Sequence, residues 1–174
     1  MTINVTVHPA ATCLGFHLSI VNAGTQAIEA VILNPYTGVT LYSLDKVPIG
    51  KDSFFTWEQS DPHIILNPGH FVLAFVRLSG VRTDINSEII VRAQVKWRST
   101  TTQEFQCCCA EGKITLSCPP WPRRTTAERK LPFSAIVLPS KSTRLNVSDW
   151  VSILDYSDKD NPPWRGKPIG MWGP

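Results

Sequence analysis

The 174-residue sequence predicts an all-β fold, an antiparallel β-sandwich of roughly nine to eleven strands. Three observations carry this reading. Apolar and polar residues alternate over short stretches, as half-buried strands require. Turn signals separate those stretches: Asn22-Ala23-Gly24, Asn34-Pro35, Pro48-Ile49-Gly50 and Asn67-Pro68-Gly69. Only one stretch has apolar residues at helical spacing. The length suits a single domain able to bury a core without disulfides or metals.

Taken in order, Ile3, Val5 and Val7 alternate with polar residues in a first strand. Leu14, Phe16, Leu18 and Ile20 form the apolar row of a second. Ala27 to Leu33 reads as a third, stopped by Asn34-Pro35, and Val39 to Leu44 as a fourth. Phe54, Phe55 and Trp57 mark a further apolar stretch, and Ile64 to Leu66 runs into the Asn67-Pro68-Gly69 turn. Phe71 to Leu78 is apolar at every second position on both faces, which suits a central strand. Ile89, Val91, Ala93, Val95 and Trp97 then fill one face of a long strand, while Ile90, Arg92, Gln94, Lys96 and Arg98 fill the other. Phe105 to Cys109 and Ile114 to Cys118 flank Ala110-Glu111-Gly112-Lys113, read as a four-residue hairpin loop. Phe133 to Leu138 is a last strand.

One short C-terminal helix is expected, because Val147, Trp150, Val151 and Leu154 fall on one helical stripe behind the capping residue Asn146. Residues 1–156 are read as the sandwich domain. Residues 157–174, rich in Pro, Gly and Trp, are read as an extended C-terminal arm that cannot build a helix or central strand of its own.

Hydrophobic residues make up 43% and charged residues 18%, which excludes a disordered chain. No apolar run approaches the roughly 18 residues of a membrane-spanning helix, so no membrane partner is expected. The first residues lack a secretory pattern, and reduced thiols in a virion or host cytoplasm are the expected setting. The net charge of +3 is unevenly spread: residues 1–75 carry −3, residues 76–145 carry +7 and residues 146–174 carry −1. Such asymmetry suits an anionic partner.

Two stretches carry a resemblance. Leu18-Ser19-Ile20-Val21-Asn22-Ala23-Gly24-Thr25 ends an apolar strand in an Asn-x-Gly turn, and Leu66-Asn67-Pro68-Gly69-His70-Phe71-Val72-Leu73 launches a long strand from a Leu-x-Pro-Gly turn. Together they resemble a motif of immunoglobulin-like accessory sandwiches, and jelly-roll virus coats share this local grammar. The resemblance implies the sandwich fold and no particular function. The chain lacks the Arg-rich N-terminal arm that many coats carry.

The five cysteines cannot all pair internally. Alternation puts Cys107 and Cys109 on one face of their strand and Cys108 on the other. With a hairpin at 110–113, Cys118 would join Cys107 and Cys109 as three thiolates for a soft metal such as zinc. No fourth His or Cys follows nearby, so buried free thiols without a metal or cofactor are expected. Asp61, His63 and His70 lie close together in sequence, but no nucleophile stands in a recognisable context, and no enzyme is expected.

The basic residues give the expected contact surface. Arg92, Lys96 and Arg98 project from one strand face, with Arg77 and Arg82 on or just after the preceding strand, expected as its neighbour. Arg123, Arg124, Arg129 and Lys130 follow in a loop beside Trp121. Basic groups along a sheet with an aromatic nearby can track a phosphate backbone. In the arm, Trp164, Ile169, Met171 and Trp172 would expose large apolar area unless docked, and a neighbouring subunit could cover them. The expectation is therefore a non-enzymatic, self-assembling subunit, a virus capsid or virion-surface protein, with copies of itself, RNA and another structural protein as partners. The alternatives are an intracellular immunoglobulin-like protein-binding module and a small RNA-binding viral accessory protein.

Overall fold

The computed structural model describes residues 3–10, 15–49, 61–78, 87–116, 145–146, 150–158 and 160. In chain order these form β1 (Ile3–Pro9), β2 (Gly15–Asn22), β3 (Ile28–Ile32), α1 (Pro35–Gly38), β4 (Val39–Tyr42), β5 (Pro48–Ile49), β6 (His63–Leu66), β7 (Phe71–Arg77), β8 (Ser87–Ser99), β9 (Gln106–Leu116), β10 (Leu145–Asn146) and β11 (Val151–Tyr156). The fold is all-β, with two antiparallel sheets packed as a sandwich.

The first sheet has the order β1-β2-β7-β11-β10. The second is built around β8. β9 runs along one side of β8 over residues 87–97, while β3 and β4 lie end to end along the other. β6 flanks β3, and β5 flanks β4. β2, β6 and β8 bury alternate residues, whereas all five residues of β3 are buried. Phe16, Leu18 and Ile20 of β2 and Val72, Ala74 and Val76 of β7 join Ala30 and Ile32 of β3 and Ile89, Val91, Ala93 and Val95 of β8 in one core. Burying each large aliphatic side chain is worth about 1.5–3 kcal/mol. β7 is central, between β2 and β11, and even its outward-facing Leu73 is only 7% exposed.

The structure corrects three expectations. Where a helix was expected over residues 147–154, the described residues from Val151 onward are instead strand, with Val151 and Ile153 opposite Val76 and Ala74 of β7. Leu154, the last member of the helical stripe, falls in a register shift between Ile153 and Asp155. Open backbone groups on β7 and the β-branched pair Val151 and Ile153 outweigh a weak local periodicity. The one helix among the described residues is α1, a single turn at the expected Asn34-Pro35 stop. The Asn34 side chain accepts from Tyr36 N–H at 2.9 Å, and Pro35 takes the first helical position, where its missing N–H costs nothing.

The third correction concerns residues 110–113, which form no hairpin loop. β9 runs unbroken through them, with Ala110 opposite Ala93 and Gly112 opposite Val91. Gly112 has a packing role instead. A Cβ there would lie 2.8 Å from Val7 O and from Val7 Cγ1, so β1 can approach β9 closely only because this residue has no side chain.

Asn22 joins the two sheets. It ends β2 at 0% exposure, and its side chain donates to Gln26 O at 2.8 Å and to Leu66 O at 2.9 Å, while Oδ1 accepts from Gly24 N–H at 3.0 Å. Its backbone N–H donates to His70 O and its carbonyl accepts from Gly69 N–H, both at 2.9 Å. Leu66 closes β6 in one sheet and Phe71 opens β7 in the other, so these bonds fix the crossover between the layers. Gly69 sits at φ +76, a conformation that L side chains rarely adopt.

Asn22→Ala should lower stability by about 1–3 kcal/mol, because it leaves the buried Leu66 carbonyl, and the part-buried Gln26 carbonyl and Gly24 N–H, without their side-chain partner. Urea unfolding checks this, and a loss below about 0.5 kcal/mol would refute the clasp. Gly112→Val should cost about 1–3 kcal/mol by overpacking against β1. A tolerated valine, as a surface loop would allow, contradicts the close approach.

Candidate functional site

The outward face of the β8 sheet gathers most of the described polar chemistry. On β8, Glu88, Arg92, Gln94 and Lys96 are exposed in strict alternation with the buried core row. On β9, Cys107, Cys109, Glu111 and Lys113 are exposed in the same way. The register sets Arg92 opposite Glu111, Gln94 opposite Cys109 and Lys96 opposite Cys107.

Two of the three expected contact cations on β8 are already engaged. Arg92 Nε lies 3.7 Å from Glu111 Oε1 with both side chains well exposed, so solvent screens the pair strongly. Hydrogen bonds to Cys109 and Tyr42, with Glu111 nearby, hold the Arg92 guanidinium above its ordinary pKa. Arg98 is bound more tightly. Its Nε and Nη2 donate to Glu29 Oε2 at 2.8 and 2.7 Å, and its guanidinium carbon stands 4.5 Å from the Phe105 ring centroid. His63 Nδ1 donates to Glu29 Oε1 at 2.6 Å, and its ring meets Phe105 edge-on at 6.4 Å.

Glu29 is thus the centre of this cluster. It is a carboxylate only 9% exposed, held between a guanidinium and an imidazole. A charge this buried persists only when paired. The sequence contained a signal for it, since Glu29 is the lone charge in the apolar run Ala27 to Leu33. Its partner Arg98 is its direct neighbour in the β3–β8 register.

The described members of the other expected site groups are not brought together. Arg77 ends β7 in the other sheet, where its neighbours are β2 and β11 and not β8, so it shares no face with Arg92, Lys96 and Arg98. Arg82, Arg123, Arg124, Arg129 and Lys130 lie outside the described residues, as do Trp164, Ile169, Met171 and Trp172 of the arm. Of the histidine–aspartate group, His63 bonds Glu29, Asp61 accepts from Asn34 N–H at 2.8 Å, and His70 faces Asp158 at 3.6 Å. Each therefore serves a different local structure.

Cys107 and Cys109 are exposed, whereas Cys108 points to the other face and is partly buried. Burial, with Cys109 beside it, pushes the Cys108 thiol above its ordinary pKa. Cys118 lies outside the described residues, and the hairpin that was to bring it beside Cys107 is absent. Among the described residues, no group of three His, Cys, Asp or Glu could hold a metal ion. The face is therefore a mosaic in which acids interrupt the bases, with an uncharged thiol-bearing segment at its β9 margin.

No protein-family model matches the chain, and no curated protein matches it. Among solved structures it is similar to self-complemented MyfA, the major subunit of Myf fimbriae from Yersinia enterocolitica, at 15% identity and a TM-score of 0.32. The match covers 66% of this chain and 98% of that one, and the same figures hold for that subunit in complex with galactose. None of these comparisons supports the expectations of a virus capsid or virion-surface protein, of RNA binding or of a virion or host-cytoplasm setting, and these are set aside.

Glu29→Ala should cost about 1–3 kcal/mol, because it leaves Arg98 and His63 without their shared carboxylate. Arg98→Ala should then cost much less in the Glu29→Ala background than alone. A double-mutant cycle by urea unfolding measures this coupling, and strictly additive losses would show that the pair contributes nothing.

Proposed function

We propose that the chain is a non-enzymatic structural subunit that associates with copies of itself by pairing strands along the edge of β9. One observation carries the reading. Among the described residues β9 hydrogen-bonds only to β8; β1 approaches it at Gly112, and no described strand pairs with the other backbone edge of Gln106–Ala110. Protein edges of this kind are ordinarily blunted by charge, proline or a bulge. Phe105-Gln106-Cys107-Cys108-Cys109-Ala110 has none of these, although Glu111 and Lys113 follow immediately.

Such an edge favours an extended segment that completes its backbone hydrogen bonds, and an identical strand meets that need by two-fold symmetry. The sandwich supplies the rigid layer that holds the edge straight. His63, Asp61 and His70 each serve a separate local contact, which supports the non-enzymatic reading.

Light scattering on a sizing column, in reducing buffer, tests the proposal. The wild-type chain should run at twice its 19.4 kDa mass or more. The double variant Cys107→Lys, Cys109→Lys, which sets like charges along the edge, should run as a monomer with an unchanged unfolding midpoint. A monomeric wild type, or a variant that associates equally well, overturns the reading.

A further inference from the structure

The run Cys107-Cys108-Cys109 reads the same in both directions, and it lies at the middle of the uncharged segment Gln106–Ala110. If two β9 strands pair antiparallel about a two-fold axis at Cys108, Cys107 of each copy stands opposite Cys109 of the other. From this geometry we infer that Cys107 and Cys109 form an intermolecular disulfide joint, two symmetry-related Cys107–Cys109 bonds between two copies of this chain. The inference rests on the self-association proposed above and specifies its register and chemistry.

Distances favour the joint between chains over a bond within one. Residues two apart on a strand have Cα atoms about 6.6 Å apart, with side chains projecting in parallel, at the upper limit for a disulfide. Directly opposed residues of an antiparallel pair have Cα atoms about 4.5 or 5.5 Å apart, both within the range of about 4.4–6.8 Å that disulfides adopt. Both thiols are exposed, and Cys108 faces the other way. A two-fold at Cys108 also keeps the charges of Glu111 and Lys113 outside the self-paired segment.

The chemistry is thiol–disulfide exchange. A thiolate on one copy attacks a small-molecule disulfide such as oxidised glutathione and forms a mixed disulfide, releasing one small thiol. The opposed thiolate then displaces the second small thiol and forms the Cys107–Cys109 bond. Two protein thiols thus lose two protons and two electrons, and the small disulfide is reduced to two thiols.

A complementation experiment tests the register. In a full-length background carrying Cys13→Ser, Cys108→Ser and Cys118→Ser, only the two exposed thiols remain. Oxidised glutathione should cross-link this protein into a covalent dimer on non-reducing electrophoresis. Adding Cys107→Ser or Cys109→Ser should each abolish cross-linking, because every remaining thiol then faces a serine. An equal mixture of those two variants should restore it by about tenfold over either alone, because one variant's Cys109 meets the other's Cys107. Cross-linking of either single variant by itself, or none in the mixture, overturns the inference. Reducing-buffer sizing of the same proteins separates the two proposals. Non-covalent dimers that never cross-link leave the self-association reading standing, whereas monomers throughout remove both.

Discussion

The hydrogen bonds around Asn22 hold the two layers in register, and much of the surface chemistry depends on that register. Asn22 is the last residue of β2, yet its side chain reaches Leu66 at the end of β6 in the opposite sheet. The same residue holds both sides of the 67–70 turn through its backbone. A buried amide is costly unless its donors and acceptor are satisfied, and here three hydrogen bonds satisfy the side chain while two more satisfy the backbone. Further along the chain, Ser157 exchanges hydrogen bonds with Phe71, and Asp158 accepts from Asn67, so the end of β11 is tied to the same turn. With β6 held in this way, His63 is set beside Glu29 rather than beside Asp61.

β8 transmits that order to the outward face. Its 13 residues pair with β9 on one side and with β3 and β4 on the other, so one strand fixes the positions of Glu29, Thr40, Glu111 and the exposed thiols. The charges along it are matched locally, Arg98 to Glu29 and Arg92 to Glu111. On the described face of β8, acids therefore interrupt the bases. Net charge is a property of a segment, whereas potential depends on which acids the register brings opposite each base.

The sandwich class and most strands were legible because alternation reports directly on a face that must be dry. The pattern from Ile89 to Trp97 leaves no other solution. The two turn-bearing stretches around Asn22 and Gly69 were legible as separate signals, although nothing local showed that one clasps the other. Where the reading failed, long-range packing decided. Gly112 looked like a loop residue because a lone glycine more often marks a turn, and its true reason, the close passage of Val7, lies over 100 residues away. The stripe of Val151 and Leu154 looked helical until β7 supplied a pairing edge. Arg77 was assigned to the wrong sheet because adjacency in sequence does not fix adjacency in a sandwich.

A pair of opposed thiols also answers a physical difficulty of edge pairing. Five uncharged residues on each strand set the pairing but bury little area, so disulfides across the axis slow its dissociation. The first disulfide across the two-fold makes the second an intramolecular closure at high effective concentration. A single central thiol would form one bond on the axis and leave the strands free to pivot about it. Two bonds placed symmetrically on either side of Cys108 fix both register and direction. This accounts for the outward placement of Cys107 and Cys109, and it leaves the partly buried Cys108 free to pack beneath the strand.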